Sequence, residues 1–193
     1  MADFPRPRVT IVRHGATEWS RSWRHTGRTD VPLTAEGRTR AESLRRRLAA
    51  HQFALVLTSP LQRACVTAEL AGFSHAEVSD DLLEWDYGDD EGRTTAEIRE
   101  ERPGWLIWAD GPKNGETVDQ VADRADRVIQ RVLHTRGDTL IFGHGHMLRI
   151  LSARWIDGPP QLGQRLLLAT AAPSTLGWEH DYRVIERWSC DAG

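Results

Sequence analysis

Three times along this chain a short, apolar, β-branched run stops at a polar turn and gives way to a helical pattern. Val9-Thr10-Ile11-Val12 runs into Arg13-His14-Gly15. Ala54-Leu55-Val56-Leu57 runs into Ser59-Pro60-Leu61-Gln62-Arg63, and Thr139 to Phe142 into Gly143-His144-Gly145-His146. Such runs read as buried strands, and their alternation with helical periods demands a sheet covered by helices. The expected fold is α/β: three layers, with a mixed, mostly parallel sheet and helices on both faces. At 193 residues, 39% of them hydrophobic, the chain holds one such core and is cramped for two, so residues 1–193 are read as one domain.

The helices carry their own punctuation. Thr34 opens one with apolar positions at Ala41, Leu44 and Leu48. Ser59, with Pro60 at the first helical position and Gln62 behind it, predicts another start. Thr94 with Glu97 and Thr117 with Gln120 are two capping boxes. The second precedes the stripe Val121, Ala125, Val128, Ile129 and Val132, with Gly137 as the expected stop. A helix over about Met147 to Trp155 follows the last turn, and alternation from Leu166 to Trp188 predicts two or three closing strands. The span of about 85–116, rich in Gly, Asp and Trp, is read as a small lid insertion.

Composition excludes several classes. The net charge is −3, from 25 Lys and Arg against 28 Asp and Glu, so no field favours nucleic acid or an anionic membrane. Lys113 is the only lysine; an arginine-heavy cation set suits bidentate phosphate binding, and is also what a GC-rich genome produces. Two distant cysteines, Cys65 and Cys190, build no disulfide framework or zinc site. Met1 to Arg8 has no secretory apolar run, and nothing approaches the roughly 20 apolar residues of a membrane span. The expectation is a cytoplasmic protein without cofactor or metal.

In helix-flanked sheets, ligands gather where strands end and helices begin. The three turns would bring together Arg13, His14, Arg63 and His144. Two guanidinium forks and free helix amides favour a tetrahedral dianion. A neutral imidazole among them is able to attack phosphorus, and the neighbouring cations favour that neutral form and stabilise the transition state. A second histidine, kept protonated by bound phosphate, would do the same work. Glu84, between Leu82-Leu83 and Trp85, is the candidate proton donor, with burial raising its proton affinity. Blander readings stand beside these. Arg-His-Gly occurs by chance, His144 and His146 have a spacing that suits zinc, and Glu84 sits in an acidic loop. Trp19, Trp23, Trp85, Trp105 and Trp108 are either packing residues or an aromatic rim for an organic phosphate.

The residues from Arg13 to Ser20 resemble the Arg-His-Gly signature of the histidine phosphatase superfamily, which includes cofactor-dependent phosphoglycerate mutases. The likeness continues, in family order, through Thr26 to Thr34, Ser59 to Ala64, Glu84 with Tyr87-Gly88 and Glu91-Gly92, Gly115-Glu116-Thr117 and Gly143-His144-Gly145. It implies His14 as phosphoryl acceptor, with Arg13, Arg63 and His144 holding the phosphoryl group and Glu84 donating the proton. It also implies that Ser20 (commonly Asn in the family), Thr26, Gly27 and the Gly145 amide contact substrate or phosphate, with Trp85 and Tyr87 beside them. Homodimers are common in the family. The mutases carry a longer basic insertion that retains a second phosphate; the short, mixed-charge Arg99 to Trp108 span favours hydrolysis. The Glu84 to Gly88 and Gly143 to His146 stretches look like broad-specificity acid phosphatases of actinobacteria. The expected activity is metal-independent hydrolysis of a small phosphate ester. A mutase or phosphotransferase, and a non-catalytic phospho-ligand binder, are the alternatives.

Overall fold

The computed structural model describes residues 6–190. Residues 1–5, part of the stretch read as lacking a secretory run, and residues 191–193 lie outside the described residues. Among the described residues six strands form one sheet: β1 (Val9–Arg13), β2 (Leu55–Thr58), β3 (Glu77–Val78), β4 (Thr139–Gly143), β5 (Pro173–Glu179) and β6 (Tyr182–Arg187). Their spatial order is β3-β2-β4-β1-β5-β6. The β1–β4, β4–β2 and β2–β3 pairs are parallel, and β5 and β6 close the edge antiparallel. The three strands that carry chemistry at their ends are therefore adjacent and point the same way.

Seven α-helices among the described residues accompany them: α1 (Glu18–Arg21), α2 (Ala35–Leu48), α3 (Gln62–Leu70), α4 (Thr95–Glu101), α5 (Ile107–Asp110), α6 (Val118–Leu133) and α7 (Gly145–Trp155). Strand alternation sorts them into layers. Val12, Leu140 and Phe142 face Leu44 and Leu48 of α2 and Ala68 of α3. Val9, Ile11, Leu57 and Ile141 face the α6 stripe and Met147, Ile150 and Leu151 of α7. The three-layer α/β expectation is met. Trp85, Tyr87, Trp105, Ile107 and Trp108, all from the 85–116 span, join that second cluster.

The Thr94–Glu97 and Thr117–Gln120 boxes form as read from sequence. The box at Ser59 does not. Helix α3 starts three residues on, with Leu61 as N-cap and no side-chain cap of its own. The Asp30 carboxylate accepts from the Gln62 amide instead, at 3.0 Å. A carboxylate 32 residues away does the capping because Ser59 is needed elsewhere. Helix α6 ends at Leu133 with His134 as C-cap, ahead of Gly137, which serves the turn into β4 at φ 126°.

Behind His14, two backbones touch. A Cβ on Gly37, near the start of α2, would lie 2.3 Å from Ala16 O, and one on Gly15 would lie 2.5 Å from Gly37 O. The nucleophile's turn is thus wedged against a helix through glycine on both sides. In an ordinary helix Gly→Ala gains about 1 kcal/mol. Gly37→Ala is expected to reverse that sign and cost about 1–3 kcal/mol by overpacking, measured by urea unfolding. A stabilised variant would show that the contact yields freely.

Candidate active site

The ends of β1, β2 and β4 converge as the topology requires. His14 N donates to Gly143 O at 2.9 Å and Ser59 N to Phe142 O at 3.1 Å, so the ladders run one residue beyond the strands. The rings of His14 and His144 lie 5.2 Å apart between centroids. His14 Nδ1 lies 2.7 Å from Gly15 O, an acceptor only, so Nδ1 carries the proton and Nε2 keeps its lone pair. The Gly15 amide donates to Thr67 Oγ1 at 3.0 Å, which fixes that carbonyl in turn.

His144 is different from expectation. Arg63 Nε donates to its Nδ1 at 3.1 Å, so that nitrogen is an acceptor and the ring is neutral. Its Nε2 then donates to Ser59 Oγ at 2.7 Å. These two bonds hold the ring in its neutral form between a guanidinium donor and a hydroxyl. Arg63, fully buried, also donates to Thr29 O at 2.9 Å, Thr26 O at 3.1 Å and Gly27 O at 2.8 Å. It ties the 26–29 loop to the histidine pair.

A cavity of about 280 Å³ opens in front of this layer, and His14, Arg13, Glu84, Ser20, Thr26, Tyr87 and Gly145 line it. Arg63 and His144 are fully buried, with the His144 ring beside that of His14. Trp85 is outside the cavity: it is a core residue, buried completely, with its Nε1 donating to Glu116 O at 2.8 Å. Gly27 is outside too, its amide donating to both Glu91 oxygens at 2.9 Å. Arg13 Nη1 donates to Leu168 O at 2.8 Å, while its Nε is buried with no partner among the described residues. That orphan donor lies against Gly145, where a Cβ would stand 3.3 Å from it. A buried N–H without an acceptor is rare, and an incoming oxyanion supplies one.

Glu84 is buried, as the flanking leucines suggest, but its neighbours are polar. It accepts from the amides of Trp85 at 2.9 Å, Met147 at 2.9 Å and His146 at 3.0 Å. The last two belong to the first turn of α7, whose own N-cap, His144, makes no side-chain cap bond. Glu84 therefore caps that helix, whose first residue, Gly145, lines the cavity. Arg124 donates to Leu83 O at 2.8 Å and to the Glu116 carboxylate at 2.8 Å, and the Asp86 amide donates to Glu116 at 3.0 Å. That is the physical work of the Gly115-Glu116-Thr117 signature: it pins the segment carrying Glu84.

Sequence reasoning missed Arg149, His25 and the role of His146, all of which line the cavity. Arg149 sits one helical turn after Gly145, a spacing that signals the same face. Tyr87 OH lies 2.5 Å from His146 Nδ1, and the His25 ring centroid is 4.9 Å from that of Tyr87. His144 and His146 thus face different partners and do not converge as a metal pair. Among the described residues, no group of three or more His, Cys, Asp or Glu side chains is placed to hold a metal.

Burial, then the charges of Arg13 and Arg63, push His14 well below the ordinary imidazole value of 6.5. Burial, then Arg63, does the same to His144, and burial, then Arg149, to His146. Burial lowers His25 to about 4 against a smaller opposing pull from Asp90. Each ring binds its proton less readily folded than unfolded. Between pH 6.5 and 4 the unfolded chain holds more protons, so stability falls as pH falls through that window. His25 alone accounts for roughly 3 kcal/mol across it. Urea midpoints are expected to drop steadily from pH 7 to pH 5, and a flat profile would contradict four neutral buried imidazoles.

A strand-end histidine with a free Nε2, an unpartnered arginine donor and a helix N-terminus defines an α/β phosphoryl-handling enzyme. The model of the histidine phosphatase superfamily (branch 1) matches residues 9–191, and the chain belongs to that family as a phosphohydrolase. It is 43% identical to an acid phosphatase of Mycobacterium tuberculosis (strain ATCC 25618 / H37Rv) over 92% of this chain and 90% of that protein. It is 40% identical to sedoheptulose 1,7-bisphosphatase of Saccharomyces cerevisiae (strain ATCC 204508 / S288c), over 77% of this chain and 67% of that one. The solved structure of the open reading frame Rv3214 product from Mycobacterium tuberculosis superposes with a TM-score of 0.90 at 41% identity, covering 95% of this chain and 97% of that chain. No helix among the described residues is long and apolar enough to cross a membrane.

Proposed function

We propose that this protein is a metal-independent phosphomonoesterase that hydrolyses a small organic phosphate through a phosphohistidine at His14. The observation that carries this reading is the His14 tautomer: Nδ1 is committed to Gly15 O, and the ring lines the cavity that Arg13 lines. Nε2 attacks phosphorus as the ester P–O bond breaks, and the positive charge that develops on the ring is met by the Gly15 carbonyl. Arg13 Nε and the Gly145 amide receive the phosphoryl oxygens. Glu84 gives the leaving alkoxide its proton, then takes one from the water that attacks the phosphohistidine. Free phosphate and the original His14 tautomer are regenerated. Arg63 and His144 keep the nucleophile and the 26–29 loop in register.

Phosphate release from a panel of monoesters, assayed with and without chelator, tests the reading. Turnover is expected to survive the chelator and to exceed any transfer to an acceptor alcohol. Isomerisation of phosphoglycerate outpacing phosphate release would establish a mutase instead. Glu84→Gln is expected to slow hydrolysis of alkyl phosphates by about 10²–10⁴-fold. For 4-nitrophenyl phosphate, whose leaving group needs no proton, the loss in kcat/KM, which reports the step that forms the phosphohistidine, should be much smaller. Equal losses on both substrates would remove Glu84 from the proton-donor role.

A further inference from the structure

We infer that the cavity selects phosphate monoesters whose leaving group is apolar and uncharged, seated against a rim formed by Trp23, Leu106 and Leu167. This deepens the phosphomonoesterase reading and rests on it. Among the described residues five large hydrophobic side chains are exposed, and three of them line this one cavity: Trp23 at 75%, Leu106 at 46% and Leu167 at 69%. Scattered exposed apolar groups are ordinary, but a majority collected at the mouth of one cavity is not. Buried Trp108, Ile107 and Leu168 continue the apolar wall inward. Trp23 also has φ 58°, a left-handed conformation unfavourable for a bulky residue, which presents its ring to solvent at the rim.

The two further arginines at the cavity are engaged by the protein itself, Arg24 by a carboxylate and Arg149 by backbone carbonyls that leave its charge in place. Arg24 lines the cavity but donates to Gly92 O at 2.7 Å and to both Glu97 oxygens at 3.1 and 3.2 Å. Arg149 donates to Gly163 O at 2.8 Å and Gln164 O at 3.0 Å, and its guanidinium lies 4.8 Å over the Trp108 ring. Both are held by the protein's own acceptors. His25, His146 and Tyr87 also line the cavity, all uncharged at neutral pH. An exposed apolar mouth therefore adjoins a cationic phosphoryl end in one cavity. A cavity of about 280 Å³ admits a small molecule and no polypeptide segment.

The test compares 2-phenylethyl phosphate with glycerol 1-phosphate, because both expel a primary alkoxide and differ mainly in the polarity of what leaves. Wild-type kcat/KM is expected to favour the phenylethyl ester by about tenfold or more. In the Trp23→Ser/Leu167→Ser double variant, that ratio should collapse by about tenfold, chiefly through KM, since both side chains are solvent-exposed. An unchanged ratio in the double variant would overturn the inference. So would a wild-type preference for glycerol 1-phosphate or for 3-phosphoglycerate, which adds a carboxylate. Phosphate release from none of the three esters would instead overturn the parent phosphomonoesterase reading, and the inference with it.

Discussion

His14→Ala is expected to abolish hydrolysis, lowering kcat by at least about 10⁴-fold while leaving the fold intact. His14 is 4% exposed, and among the described residues its only side-chain hydrogen bond is to the adjacent Gly15 carbonyl. Removing it strands no distant partner. Moreover, the backbone that holds it is fixed independently, by the Gly143 ladder bond and the Gly15–Gly37 contact. Phosphate release measured under single-turnover conditions should fall to background, with an unfolding midpoint near that of the wild type. Retention of more than a few per cent of activity would mean that another group, or water directly, attacks phosphorus.

The second large effect is structural. Arg63→Met is expected to cost about 3–5 kcal/mol, because it strands three buried or half-buried carbonyls and the His144 Nδ1 acceptor at once. For a domain of this size that lowers Tm by roughly 10 °C. Arg63→Lys keeps the charge but loses the planar fork, so it should recover only a minor part of the loss. Activity should fall in both variants, since the 26–29 loop and His144 are no longer tied together. Near-native stability in Arg63→Met would show that this arginine is held for the ligand alone and not as the hub of the layer behind His14.

Much of this was legible in the residues. Strand alternation placed Val12 and Ile11 on opposite faces, and two of the capping boxes stand where the Thr-x-x-Glu and Thr-x-x-Gln spacings put them. The adjacency of the three strand ends follows from parallel pairing, which brings His14 and His144 together. What sequence could not show is nonlocal. Asp30 caps α3 and Glu84 caps α7 from far along the chain, so a local rule assigned the first cap to Ser59 and left the second unassigned. Ser59 looked like a cap because a hydroxyl has the same inventory whether it meets an amide or the His144 ring. The tryptophans divided by neighbours that composition does not encode: Trp85 went into the core and Trp23 to the rim. Leu167 and Leu168 reach the cavity from an irregular segment with no period to read.

The most direct test of the account is the site of the covalent bond. A rapid acid-free quench of the wild-type enzyme with labelled phosphomonoester should trap a base-stable, acid-labile phosphohistidine at His14, with phosphorus on Nε2. Label on Nδ1, label on another residue, or turnover of 4-nitrophenyl phosphate in which no phosphohistidine accumulates even when water attack is slowed by Glu84→Gln, would contradict it.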